Sequence, residues 1–255
     1  MVSFEDDYGR ATARYYDLAY AKHAGARLGP DVDFYRELAR ESGGPVLELG
    51  CGTGRVLLEL AAEGIQCTGV DLSEEMLDAL RAKTEAPPRL LCARMQDFDL
   101  GGARFALIYS AFRAFQHLYT VEDQLACLAR VRSHLPPGGR FAFDVFNPRL
   151  ESMLADEEPE AEDVRFPWEG DEVVRLTGVR RDRASQMLDV RMRYERRRAG
   201  RVVIVEESRF HMRWFTRFEL EHLMHRAGFE EVTIHGDFDR SPVGPDSPAL
   251  IIIAR

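Results

Sequence analysis

Three glycines spaced two residues apart, Gly50, Gly52 and Gly54, close the apolar run Val46-Leu47-Glu48-Leu49. Without β-carbons the chain can turn sharply there and let a ligand touch main-chain atoms. A helix-forming stretch, Val56 to Glu63, follows. Its first N–H groups lack partners and point back at the loop, where polar ligand groups are received. A second apolar run, Ile65 to Val70, ends in Asp71, 21 residues after Gly50. A ribose-binding carboxylate sits about there in a strand–helix–strand nucleoside site. The spacing is G-x-G-x-G, with Arg55 or Val56 in the next slot, and not the G-x-G-x-x-G of dinucleotide sites. Glu48, just before the loop, is awkward beside a pyrophosphate and suits a ligand with a cationic end.

Further chemistry-bearing residues stand where strands are expected to end. Phe105 to Ser110 reads as a strand, and Arg113 and His117 follow it. His117 is a candidate base or substrate-orienting group; a satisfied histidine at a helix end is the alternative. Arg113 either lines a pocket or pairs with an acid. Asp144 and Asn147 end the strand Arg140 to Val145, at the edge where open α/β sheets bind ligands. His211, Arg213 and Trp214 either line a substrate pocket or pack. The cysteines, Cys51, Cys67, Cys92 and Cys127, lack metal-type spacing and read as reduced thiols of a cytoplasmic protein, so no metal is expected.

Helices are expected over residues 4–24, where Tyr8, Ala11, Tyr15, Leu18 and Ala19 recur at helical spacing, and over 31–40. Ser73-Glu74-Glu75 opens a helix with Met76, Leu77 and Leu80 inward, Arg89 to Ala93 is a short strand, and residues 121–134 are amphipathic. Residues 151–172 are acidic and nearly core-free and read as a mobile surface connection. Three extended segments follow, near 172–180, 187–197 and 201–215, with the alternation of half-exposed antiparallel strands. A helix over 217–226 and strands over 230–235 and 249–254 complete the chain. The fold class is therefore α/β: a seven-stranded, mostly parallel sheet with helices on both faces and an inserted antiparallel β-meander. The expected organisation is a helical lid over 1–44, a core of 45–150 with 216–255, and an acidic linker and β-insert over 151–215. A chain of 255 residues suits such a domain, and a formal charge of −9 argues against non-specific nucleic-acid binding. No apolar run approaches the ~20 residues of a membrane span, and the acidic N-terminus is no signal peptide.

E-L-G-C-G-T-G-R at 48–55 resembles the first motif of the class I S-adenosylmethionine-dependent methyltransferases, and V-D-L-S at 70–73 with Met76-Leu77 resembles their second. The likeness continues in F-R-A-F-Q-H-L at 112–118, P-P-G-G at 136–139 and F-T-R-F-E-L at 215–220, and so covers nearly the whole chain. It implies a Rossmann-like fold and S-adenosylmethionine as cofactor. Gly50, Cys51, Gly52 and Gly54 would offer main-chain contacts, Glu48 the partner of the amino-acid end, Asp71 the ribose acceptor, and Leu72 and Met76 the adenine walls. Ser110 would join them at the end of its strand. The family's adenine-reading acid after strand three is replaced by Arg94, leaving Asp97, Gln96 or the main chain at Met95 for that role; Met95 packs on the adenine or in the core. A Y-D-x-x-Y segment closes over the cofactor in relatives, implying Tyr16 and Tyr20 as lid contacts, with packing as the alternative. Tyr20, Arg113, Asn147 and Arg213 would face the acceptor.

The implied activity is methyl transfer to nitrogen or oxygen of a small molecule, as in sugar-amine N-methyltransferases. A tRNA or protein methyltransferase using the arginine-rich insert and a non-catalytic cofactor-binding protein are the alternatives. The meander also offers a surface for a homodimer.

Overall fold

The computed structural model describes residues 10–23, 29–149 and 153–255. Two units can be distinguished, one of Gly29–Pro148 with Trp214–Arg255, the other of Met1–Leu28 with Arg149–Arg213. The first contains helices α2 (Pro30–Ser42), α3 (Leu57–Ala62), α4 (Glu74–Arg81), α5 (Val121–His134) and α6 (Arg217–Arg226). Its strands are β1 (Val46–Leu49), β2 (Cys67–Asp71), β3 (Arg89–Cys92), β4 (Leu107–Ser110), β5 (Arg140–Phe146), β10 (Val232–His235) and β11 (Ala249–Ala254).

The sheet order is β10-β11-β5-β4-β1-β2-β3, parallel except for β11, which runs against both its neighbours. Short apolar strands such as Val46-Leu47-Glu48-Leu49, buried along their whole length, are what a sheet covered on both faces requires. Alternate residues feed two cores. Leu47, Ile108, Phe141 and Phe143 meet Leu128 and Val131 of α5 and Leu220 and Met224 of α6. Val46, Leu107 and Tyr109 meet Tyr35 and Leu38 of α2, Leu60 of α3 and Leu77 of α4. The chain runs from β1 outward to β2 and β3, then crosses back to β4 on the other side of β1. That reversal opens a crevice at the carboxyl ends of β1 and β4, where sheets of this kind bind ligands.

In the other unit, α1 (Arg10–His23) accompanies an antiparallel sheet ordered β6-β7-β8-β9. Its strands are β6 (Glu157–Trp168), β7 (Asp171–Asp182), β8 (Met187–Arg198) and β9 (Arg201–Arg213). Tyr8 and the rest of residues 4–9 lie outside the described residues. Tyr15 of α1 packs among Phe166, Trp168 and Tyr194, its ring 5.2 Å from both Trp168 and Tyr194. Thr12 donates to Ser208 at 2.7 Å.

The acidic stretch read as a mobile connection is largely a fourth strand, β6, and this corrects the expectation. Only Val164 and Phe166 of β6 are buried, so hydrophobic alternation is too weak to announce the strand. Main-chain pairing to β7 and cross-strand charge pairs define it instead. Asp163 receives Arg175 at 2.8 Å, Glu158 pairs with Arg181, and Glu160 pairs with Arg193 of β8. On β7, Asp171 accepts Arg196 at 2.5 Å and Arg198 at 2.8 Å. Much of the arginine crowding of this unit is thus balanced within the unit itself.

Candidate active site

The glycine loop follows β1. Gly50 and Cys51 donate main-chain bonds to the Val70 carbonyl at 2.8 and 3.1 Å, turning the chain over the end of β2. Gly50, Gly52 and Gly54 have φ of 72°, 52° and 83°, a region that side chains disfavour. A β-carbon at Gly50 would stand 2.6 Å from the Ala114 methyl, whereas one at Gly52 would meet nothing within 4 Å. The two glycines therefore serve different ends: Gly50 lets the loop seat on the segment after β4, and Gly52 leaves open space above the loop. Gly50→Ala is expected to cost about 2–4 kcal/mol through strain and overpacking, lowering Tm by roughly 5–15 °C. Gly52→Ala should fold with about a third of that loss, and calorimetric melting of both variants checks the contrast.

Asp71 stands at the end of β2. Its carboxylate accepts the Gly52 N–H at 2.7 Å and the Ser73 N–H at 2.9 Å. Burial pushes its pKa up, and the amide bonds oppose the shift. Beside it Leu72 is 69% exposed, an apolar side chain left in solvent at the rim, while Met76 is buried beneath. Met95 is half-buried, with its sulfur 4.0 Å from the place of a Gly50 β-carbon. Gln96 donates to Asp123 of α5 at 3.2 Å, and the Arg94 guanidinium lies 3.7 Å from the same carboxylate. The acid beside this segment thus comes from α5, a position that motif reading along the chain passes over.

Glu48 is buried inside β1 and accepts the Tyr109 hydroxyl at 3.0 Å. Burial raises its pKa to about 8, against the pull of Tyr109 and of the Arg55 charge. Tyr109 stacks on Tyr35 of α2 at 4.9 Å, and Tyr35 donates to Asp144 of β5 at 2.8 Å. Arg55, directly after the glycines, forms a two-pronged pair with Asp31 and lies 4.9 Å over the Phe112 ring.

After β4 the chain makes a left-handed turn at Phe112 and Arg113, then a 3-10 turn over Ala114–His117. Arg113 is exposed, its guanidinium 5.6 Å from the Phe146 ring. His117 is half-buried, with Nδ1 3.4 Å from the Tyr119 hydroxyl. Ser110 is fully buried and its hydroxyl has no hydrogen-bond partner among the described residues. Asn147 uses its amide N–H to hold the Ser247 carbonyl at 3.0 Å and so anchors the approach to β11. Tyr16, Tyr20 and Arg213 belong to the other unit. There Tyr16 and Tyr20 pack ring to ring at 4.3 Å, and Arg213 donates to Gln186 at 3.3 Å. The sequence reading missed Tyr35, Asp31 and Asp123, whose roles arise from contacts distant along the chain.

A glycine loop, a carboxylate at the end of the second strand and a switch point between β1 and β4 define a nucleoside-binding α/β fold. The chain matches a methyltransferase domain family over residues 20–234 and belongs to that family. Its fold resembles that of the CcbJ methyltransferase from Streptomyces caelestis, with 29% identity, 98% coverage of both chains and a TM-score of 0.79. A dTDP-3-amino-3,4,6-trideoxy-alpha-D-glucopyranose N,N-dimethyltransferase of Streptomyces venezuelae is 34% identical over 127 residues, 49% of this chain and 52% of that one. A cypemycin N-terminal methyltransferase from a Streptomyces species is 25% identical over 96% of both chains. The chain spans about half the length of the first curated relatives it matches.

The residues present fit S-adenosylmethionine. The space above Gly52, the Asp71 carboxylate and the exposed Leu72 suit a nucleoside. A buried acid with a raised pKa, Glu48, suits a cationic amino-acid end.

Proposed function

We propose that the chain is an S-adenosylmethionine-dependent methyltransferase acting on an amine nitrogen, or less directly a hydroxyl, of a small-molecule acceptor. The observation that carries this reading is the joint placement of the glycine loop, Asp71 and Glu48 at the carboxyl ends of β1 and β2. When bound, the cofactor supplies a sulfonium-activated methyl group for in-line displacement. The chain's own task is then to hold and orient, and positioning alone can supply much of the rate. Asp71 would accept the ribose hydroxyls, Glu48 would neutralise the amino-acid end, and Leu72 and Met76, with Met95, would flank the base. Cys51 contributes main-chain contacts, and Gln96 and Ser110 remain proposed cofactor contacts. A base is needed only if the acceptor arrives protonated, and His117 is the proposed one. Tyr16 is proposed as a cofactor contact and Tyr20, Arg113, Asn147 and Arg213 as acceptor contacts, all on sequence grounds.

An amino nitrogen is preferred because relatives named above act, by name, on an amino sugar and on a peptide N-terminus. The near full-length match to the second makes a peptide α-amine the second reading. Calorimetric titration with S-adenosylmethionine, S-adenosylhomocysteine and NAD tests the cofactor. Micromolar binding of the sulfur ligands alone is expected; binding of NAD only, or of none, overturns the proposal. Release of S-adenosylhomocysteine across a panel of dTDP-amino sugars, free peptide amines and phenols then separates the acceptors.

A further inference from the structure

Phe112 and Arg113 are consecutive, neither is glycine, and both adopt left-handed φ, 55° and 65°. Each such residue carries a conformational cost and persists only where its surroundings hold it. What holds these two is Asp144, buried on the neighbouring strand β5. One carboxylate oxygen accepts the Phe112 N–H at 2.8 Å and the other accepts the Arg113 N–H at 3.0 Å. Tyr35 of α2 donates to the first oxygen at 2.8 Å. Three donors from two elements converge on one carboxylate, and successive main-chain N–H groups forming an anion-binding concavity are a recurrent way to grip such a group.

The turn so held decides where side chains go. The next residue, Ala114, is the one against which Gly50 seats. Phe112 is turned outward beneath Arg55, and Arg113 is exposed next to the Phe146 ring. Both stand at the carboxyl end of β4, at the rim of the crevice. We propose that Asp144 is a positioning residue: by gripping the Phe112 and Arg113 amides it aims those side chains at the acceptor side of the site, without serving the cofactor directly. The word acceptor rests on the methyltransferase reading; the clamp itself does not.

Among titratable groups, Tyr35 and Asp31 of α2 act on Asp144; Asp31 is itself paired with Arg55. Its strand partner on β11, Ile251, is neutral, and on β4 the ladder ends one residue earlier, at Ser110 opposite Phe143. Burial raises the Asp144 pKa to about 6, against the bonds from Tyr35 and the two amides.

The experiment is amide NMR and hydrogen exchange on 15N-labelled wild type, Asp144→Asn and Tyr35→Phe, each with and without S-adenosylhomocysteine. In wild type the Phe112 and Arg113 amide signals should titrate together with a midpoint near 6. In Asp144→Asn that midpoint should vanish and both amides should exchange roughly 10- to 100-fold faster, as loss of charge-assisted bonds implies. The Ile252 amide should stay protected, and S-adenosylhomocysteine affinity should stay within about threefold. Should Asp144→Asn not fold, Tyr35→Phe decides. It keeps the carboxylate and both amide bonds but loses a donor to the charged form, so the midpoint must rise. Flat amide signals between pH 5 and 7.5 in wild type, unchanged exchange in Asp144→Asn, or an unmoved midpoint in Tyr35→Phe would each overturn the clamp. An intact clamp in a chain that binds no S-adenosylhomocysteine would sink the methyltransferase reading and leave the clamp standing.

Discussion

Asp71→Ala is expected to bind S-adenosylhomocysteine about 100-fold more weakly than the wild-type chain, with Tm changed by only a few degrees. The carboxylate does two jobs at once. It already accepts the Gly52 and Ser73 amides, and so sets the loop before any ligand arrives. Its remaining acceptor capacity is what a ribose hydroxyl would use. Hydrogen bonds to charged groups contribute about 1.5–3 kcal/mol each. Losing them together with the ordered loop amounts to about 2–4 kcal/mol, or roughly 30- to 1,000-fold in Kd. The fold should survive, because Asp71 ends β2 and the buried ladder of β2 with β1, from Val46 opposite Cys67 to Leu49 opposite Val70, lies before it. Asp71→Asn keeps one acceptor and should fall between. Isothermal calorimetry reads the affinities, and a loss smaller than threefold in the alanine variant would exclude Asp71 from the cofactor site.

Glu48→Gln should raise stability and lower cofactor affinity together. The Glu48 pKa, raised by burial to about 8, exceeds the value of an unfolded chain. A group raised in the folded state contributes stability that is fully present below its unfolded pKa and is lost as pH rises through the folded one. The wild-type chain should therefore lose stability between about pH 5 and 8, on the order of 4 kcal/mol for a shift of this size. Gln is neutral throughout and can still accept the Tyr109 hydroxyl. Glu48→Gln should thus melt roughly 5–10 °C above wild type at pH 8 and much less above it at pH 5.

The same proton reports on binding. At pH 7 the free protein holds Glu48 mostly protonated. A cationic amino group brought beside it favours the carboxylate, so binding of S-adenosylmethionine should release close to one proton. Observed enthalpies in Tris and in phosphate buffer should differ accordingly for wild type and agree for Glu48→Gln. Equal enthalpies in wild type would mean that Glu48 does not face the cofactor's cationic end.

Much of the fold was legible along the chain because the determinants are local. The expected helix starting at Ser73-Glu74-Glu75 is α4, with the Ser73 hydroxyl accepting the Met76 N–H. Pro136-Pro137-Gly138-Gly139 ends α5 and leads into β5, as the turn residues imply. The helix expected over 31–40 runs slightly longer, Pro30 to Ser42, ended by Gly43 in the left-handed conformation. The strand β6 was not legible, because its stability comes from partners on β7 and β8 and not from an apolar stripe of its own.

For the site, the spacing of Gly50, Gly52 and Gly54, the acid at the end of the next strand and the acid before the loop were set by the sequence. A loop and the strands flanking it place their own residues, so short-range spacing suffices there. Tertiary structure alone decided that Tyr35 reaches Asp144 across 109 positions of chain, that Asp123 stands beside Gln96, and that Asp144 grips the amides of Phe112 and Arg113. Those contacts link elements that meet only when the sheet closes its crossover from β3 back to β4. No periodicity or motif can announce a bond whose two ends share no local pattern.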